Sequence, residues 1–293
     1  MEVSGYARCR PGRASRAKYL LPDGSEFVWE SRRHRKGRGP RRSTGQVEAG
    51  ADRARQVGKR VPWIGWSPRR MAWWISVLFT VGSVLFVLGA AASLSPGVFS
   101  GSESAALLTD TTYFTGALLY TAGIYLQVLE ALNCSDRIGL SKLHRSSHGG
   151  FAWFAWRPRR LEFMGPFVLL VGSLLYNAQT SLALASSLGL AELPLLGQVG
   201  NLSGGVLFVV STYMQLAEVC HRAVCLRTRE VSWWVAALFV AGSVGFVLGA
   251  VFGFELPGLS SAAASSLGAL FFLAGSALFL ADSYLLLPEM YPE

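Results

Sequence analysis

The sequence predicts an all-α fold: a polytopic membrane protein with six transmembrane helices, arranged as three tandem two-helix repeats. Three observations carry this. The 293 residues are 51% hydrophobic and 15% charged, with a mean hydropathy of +0.36, whereas soluble domains average about 25% charged. The 27 Lys and Arg fall in three blocks, 18 up to Arg70, six within 137–160 and three within 222–229, and the intervals 71–136, 161–221 and 230–293 hold none. Finally, one stripe recurs at helical spacing. It reads Gly116, Tyr120, Gly123, Gln127, Glu130, then Gly204, Phe208, Ser211, Gln215, Glu218, then Gly268, Phe272, Gly275, Phe279, Asp282. Positions i, i+4, i+7, i+11 and i+14 lie along one side of a helix.

Residues 1–62 are polar and Arg-rich and are expected to form a largely disordered cytosolic extension. Within it, Pro22-Asp23-Gly24 between two apolar-rich runs signals a short hairpin over 18–30. The run from Arg32 to Arg42 that follows reads as a positive flank for anionic lipid. A nucleic acid is not the expected partner, because no folded reading module accompanies the run.

Six apolar segments come next, at 71–94, 111–132, 161–184, 196–220, 232–254 and 262–287. Each supplies about the 20 residues that a spanning helix needs. The connectors alternate. Those near 95–110, 185–195 and 255–261 carry only the acids Glu103, Asp110, Glu192 and Glu255, and those near 133–160 and 221–231 are basic. The positive-inside rule therefore puts the N-terminus, both basic loops and the C-terminus in the cytosol, in a multi-pass plasma-membrane protein. The resulting divisions are 1–62, hairpin 63–133, loop 134–152, hairpin 153–220 and hairpin 221–293.

The first, third and fifth helices repeat as well. Trp73-Trp74, Gly82-Ser83, Phe86 and Gly89 return as Trp233-Trp234, Gly242-Ser243, Phe246 and Gly249, and the third helix keeps Gly172-Ser173 and Tyr176. The entry segment WIGWSPRR of 63–70 returns as WFAWRPRR in 153–160. Two helices per unit give parallel copies, unlike the inverted repeats of many transporters. Small-residue stripes let helix backbones approach, so the second, fourth and sixth helices are expected to form an inner layer.

The motifs WWxxxLFxxGSxxFxLGA, AGIYLQVLEALN and SLGALFFLAGSALFLADSYLLLPE resemble the bacterial YrhK-like membrane domain and its uncharacterised multi-repeat relatives, over roughly residues 63–289. The middle hairpin departs, with Pro166, Asn177 and Gln179 inside its first helix. The resemblance implies a membrane fold and carries no catalytic or ligand-binding residue onto this chain.

Candidate intramembrane polar residues are Gln127, Glu130, Gln215, Glu218 and Asp282. A carboxylate near a helix C-terminus opposes the macrodipole, and a deeper charge costs more. One reading is an acid ring at the mouth of a cation or proton path. The other is pairing with loop cations such as Arg137, Arg160, Arg222 or Arg229. Asp282 has no Lys or Arg near it in sequence, so its partner must come from another element, or its carboxyl is neutral. Cys9, Cys134, Cys220 and Cys225 lie in or beside the basic blocks, in a reducing compartment where disulfides are not expected. His144 and His148, at i and i+4, could ligate one metal on a helix, but the stretch runs into Gly149-Gly150 and reads as loop, and Cys220 with Cys225 lacks the CxxC spacing of a structural zinc site. No nucleotide-binding or hydrolase signature is present. The chain is expected to be no enzyme and to hold no metal or cofactor, with the bilayer, anionic lipid and a second copy of itself as its partners. The sequence favours a structural or interaction module of packed hairpins, with a small cation or proton channel or carrier as the alternative.

Overall fold

The computed structural model describes residues 15–20, 26–36, 41–43, 63–95, 102–133, 151–190, 193–254 and 256–291. Outside these lie the Pro22 turn, most of the loop around His144 and His148, and the acids Glu192 and Glu255. A small sheet comes first among the described residues. Strands β1 (Arg16–Leu20) and β2 (Glu26–Glu30) pair antiparallel with Leu20 opposite Glu26, and β3 (Arg41–Ser43) adds to β2. A single turn of helix, α1 (Ser31–Arg35), continues directly from β2.

Six long helices follow: α2 (Met71–Leu94), α3 (Ser102–Asn133), α4 (Leu161–Ser187), α5 (Pro194–Cys220), α6 (Val231–Val251) and α7 (Ser261–Glu289). Five of the helices, all but α1 and α3, are long and apolar enough to cross a membrane. Helix α3 has the length, but five Thr and three Tyr dilute its apolar character.

Local chemistry explains the boundaries. Helices α2, α4 and α6 each begin after an extended residue (Arg70, Arg160, Glu230) with φ between −99° and −106°. In each case that residue donates its backbone N–H to the carbonyl three positions earlier. Pro194 opens α5, where a missing N–H costs nothing. Ser260 caps α7 by accepting from the Ala263 N–H at 3.3 Å. Pro166 lies in the first turns of α4 and is tolerated there.

The long helices form a closed ring. Each packs on its neighbours in sequence, and α7 returns to α2. The expectation that alternate helices form an inner layer does not hold. Rings from α2, α4 and α6 meet across the axis (Phe79–Phe239 6.4 Å, Phe86–Phe246 5.9 Å, Tyr176–Phe246 5.8 Å), as do rings of α3 and α5 with α7. Small residues on both members of each pair allow this. Gly82 faces the Gly116 carbonyl and Tyr120, Gly172 faces the Gly204 carbonyl and Phe208, and Gly242 faces the Gly275 carbonyl and Phe279. The outer surface exposes Leu88, Leu118, Leu174, Val206, Val244 and Leu270, one or more from each long helix. At the end of the bundle nearest the basic segments, Trp63, Trp66, Trp153 and Trp156 are exposed.

Candidate functional site at the basic end of the bundle

Three cations at the start of the run after the hairpin are turned into the protein. Arg32, Arg35 and Lys36 share one face of α1 and its cap, at i, i+3 and i+4. All three are buried, at 7%, 7% and 6% exposure, and each meets one acid. Arg32 grips Glu289 with two bonds, Nε to Oε1 at 2.6 Å and Nη2 to Oε2 at 3.1 Å. The Nη2 of Arg35 donates to Glu218 Oε2 at 2.9 Å, and its Nη1 donates to the Glu162 carbonyl. Lys36 Nζ lies 3.2 Å from Glu130 Oε2. Ser31 adds a donor to Glu218 Oε1 at 2.7 Å. These acids are met by the N-terminal segment, where the sequence pointed to cations of the loops. Sequence distance concealed the pairing, because 94 to 257 positions separate the partners.

The third acid of this layer is Glu289, not Asp282. Tyr120, Phe208 and Phe279 pack alike, against Gly82, Gly172 and Gly242 respectively. Ten residues beyond each stands an acid: Glu130, Glu218, Glu289. The last copy of the stripe therefore starts at Gly275, one heptad later than the spacing alone suggested. Asp282 falls level with Gly123 and Ser211, two turns deeper. It is buried, and Ser283 Oγ donates to its Oδ1 at 3.4 Å.

Electrostatics hold the layer together. Burial alone would lower the Arg32 pKa, but the Glu289 carboxylate and, more weakly, Glu218 and Glu130 outweigh it and raise the guanidinium above its ordinary value. Buried pairs of this kind repay most of their desolvation cost only when both partners stay, so they fix geometry more than they stabilise. The hairpin is fastened nearby. His221 Nε2 sits 3.5 Å from Glu30 Oε1, and its Nδ1 is 2.8 Å from Ser15 Oγ. The bond to His221 lowers the Glu30 pKa, opposed by burial and assisted by the charges of His221, Arg16 and Arg33. A depressed carboxylate contributes stability that is complete above its unfolded pKa of about 4.5 and lost as pH falls through the lower folded value. Hydrogen exchange of the β2 amides, corrected for intrinsic rate, is therefore expected to stay slow from neutral pH to about 4.5 and to accelerate below it. Unchanged protection at about pH 3 would contradict this role for Glu30.

One turn further into the bundle, Gln127 Nε2 donates to Gln215 Oε1 at 3.1 Å, and Gln215 reaches Ser211 Oγ at 3.4 Å. On α7 the matching position, seven beyond Phe279, is Leu286. The amides thus form a bridge between α3 and α5 and no ring. Asn177 likewise ties α4 to α3 through Thr121 at 2.9 Å. Beyond the amides the axis is aromatic. Phe279 is fully buried and packs against Tyr120 (5.6 Å), Phe208 (6.3 Å), Phe239 (5.3 Å) and Phe246 (4.8 Å). A cavity of about 800 Å³ opens past this plug, in the half of the ring away from the basic segments.

Cys220 and Cys225 form a disulfide, which corrects the expectation of free thiols. Helix α5 stops at His221, whose left-handed φ of 55° turns the chain back and leaves the two Cα atoms 5.4 Å apart. Among the described residues, no group of three or more His, Cys, Asp or Glu is placed to hold a metal ion.

Of the sequence candidates, Gln127, Gln215, Glu130 and Glu218 come together at one end, and Asp282 stands apart. Sequence reasoning missed Glu289, Arg32, Arg35 and Lys36. The spacing from Gly275 to Glu289, equal to that from Gly116 to Glu130, was the available signal for the first. No family model, curated protein or solved structure matches the chain.

Proposed function

We propose that the chain is a six-pass plasma-membrane protein of three parallel hairpin repeats, with both termini cytosolic, that acts as a sealed structural or interaction module. The observation that carries this reading is the closure of the axis. Three acids at one end are neutralised one for one by Arg32, Arg35 and Lys36, and the Phe279 cluster fills the middle. A neutralised acid layer above a filled aromatic middle leaves no open path for an ion from one end of the ring to the other. Support for the repeats comes from the three alike entry turns and the three alike glycine contacts. The kinship to YrhK-like domains rests on the motifs alone. Helix α3 completes the sixth span in this reading, because it closes the ring between α2 and α4.

A channel or carrier is the second reading, favoured by one observation: the cavity and the acid layer lie at opposite ends of the same ring. Transport would then require α1 to leave its acids and the Phe279 cluster to part. Flux of protons, Na⁺ and K⁺ into proteoliposomes separates the two readings. The wild type, Arg32→Gln/Arg35→Gln/Lys36→Gln and Glu130→Gln/Glu218→Gln/Glu289→Gln are all expected to be silent. Flux in the wild type would overturn the sealed module, and flux only in the cation-depleted variant would mark α1 as the plug of a path.

A further inference from the structure

We propose that the cavity facing away from the basic segments is a binding site for an organic cation with an aromatic or bulky apolar body. All six long helices contribute to its walls. At about 800 Å³ it falls within the size range of small-molecule sites, roughly 300–1,000 Å³. Its lining sets the polar side chains of Asp110, Gln179, Gln198 and Asn201 beside a wall that is largely aromatic and apolar.

Charge decides the class of ligand. Asp110 is the one charged side chain among the described lining residues, and no Lys, Arg or His lines the cavity with it. Ser187 Oγ donates to Asp110 Oδ2, which holds the carboxylate in place at the rim. An anionic ligand would meet this carboxylate with no counter-charge. A neutral hydrocarbon would leave the carboxylate and three amides without a gain. A cation satisfies the carboxylate and then finds ring faces. Phe246 is met by three rings at steep angles: Phe86 at 69°, Tyr176 at 88° and Phe272 at 81°, with centroids 5.4–5.9 Å away. The four rings pack edge to face into one aromatic wall that lines the cavity, and such a wall accepts a large, weakly hydrated cation. A compact inorganic cation is not the fit, because the aromatic wall cannot replace its hydration shell.

The site needs no passage through the bundle, so its test is independent of whether the axis is sealed. The full-length protein in lipid nanodiscs, with empty nanodiscs as the blank, is dialysed against tetraphenylphosphonium and, separately, against tetraphenylborate, its isostere of opposite charge. The expected result is saturable binding of about one tetraphenylphosphonium per chain and at least tenfold weaker binding of tetraphenylborate. Asp110→Asn removes the charge at constant shape and is expected to weaken the cation at least tenfold. Phe246→Leu, which keeps an apolar wall without a ring face, is expected to weaken it severalfold. Glu230→Gln, at the opposite end, is expected to bind as the wild type does. Non-saturable uptake, equal binding of the two isosteres, or full affinity in Asp110→Asn would each overturn the proposal. So would an acyl chain that co-purifies in the cavity and is not displaced by the cation.

Discussion

Arg35→Ala is expected to lower the unfolding free energy by about 3–5 kcal/mol, the loss typical when one partner of a buried pair is removed. Glu218 is fully buried and has two partners, Arg35 at 2.9 Å and Ser31 at 2.7 Å. Without Arg35 the carboxylate keeps one serine hydroxyl, and the desolvation it has already suffered goes uncompensated. The double variant Arg35→Leu/Glu218→Leu is expected to recover most of the loss, because replacing a whole buried pair by apolar residues is often neutral. Arg227→Ala is the contrast. It breaks a half-exposed i, i+3 pair with Glu230, and screening limits the effect to below about 1 kcal/mol. Denaturant titration of the wild type and the three variants in mixed micelles gives all three differences. A double variant as damaged as Arg35→Ala would show that the site depends on packing and not on charge. The same single variant should loosen α1, so trypsin is expected to cut after Arg32 or Arg33 faster than in the wild type.

The parts of this molecule that were legible in the sequence are those governed by local periodicity. The first expected span and α2 have the same ends, 71 and 94, because an apolar run flanked by Arg70 and a polar turn leaves one way to place a helix. Register along α7 was not legible. Gly268 and Gly275 are a heptad apart, and Phe272 and Phe279 repeat the same interval, so both alignments begin with Gly and Phe and end in an acid, and the small residue Gly275 at the third position favours the wrong one. Only the contact of Gly275 with Gly242 decides between them. Helix α1 was invisible for a different reason. Its cations are as dense as those of any membrane flank, and nothing in a charge run says whether lipid phosphate or a distant carboxylate neutralises it. The disulfide escaped because the cysteines were assigned to a reducing compartment, and the left-handed turn at His221 that brings them together leaves no mark in the local sequence pattern.

Glycine at the helix crossings supplies the second large effect. A Cβ on Gly275 would lie 2.8 Å from the Gly242 carbonyl oxygen, and the same atom would reach Phe246 at 2.8 Å. Backbone cannot rotate out of the way as a side-chain tip can, so α6 and α7 must separate. Gly275→Ala is expected to cost about 1–3 kcal/mol by overpacking, and Gly275→Leu to prevent the ring from closing. Gly197 sits near the start of α5 with nothing within 4 Å of its would-be Cβ. There the substitution meets no neighbour, and Ala is favoured over Gly in a helix by up to about 1 kcal/mol. Gly197→Ala is therefore expected to be neutral or slightly stabilising in the same denaturant titration. Opposite signs at two glycines of equal helix propensity would isolate close backbone approach as the force that sets the spacing of α6 and α7. Equal effects at both would assign the glycines to helix propensity and remove the crossings from the account of the ring.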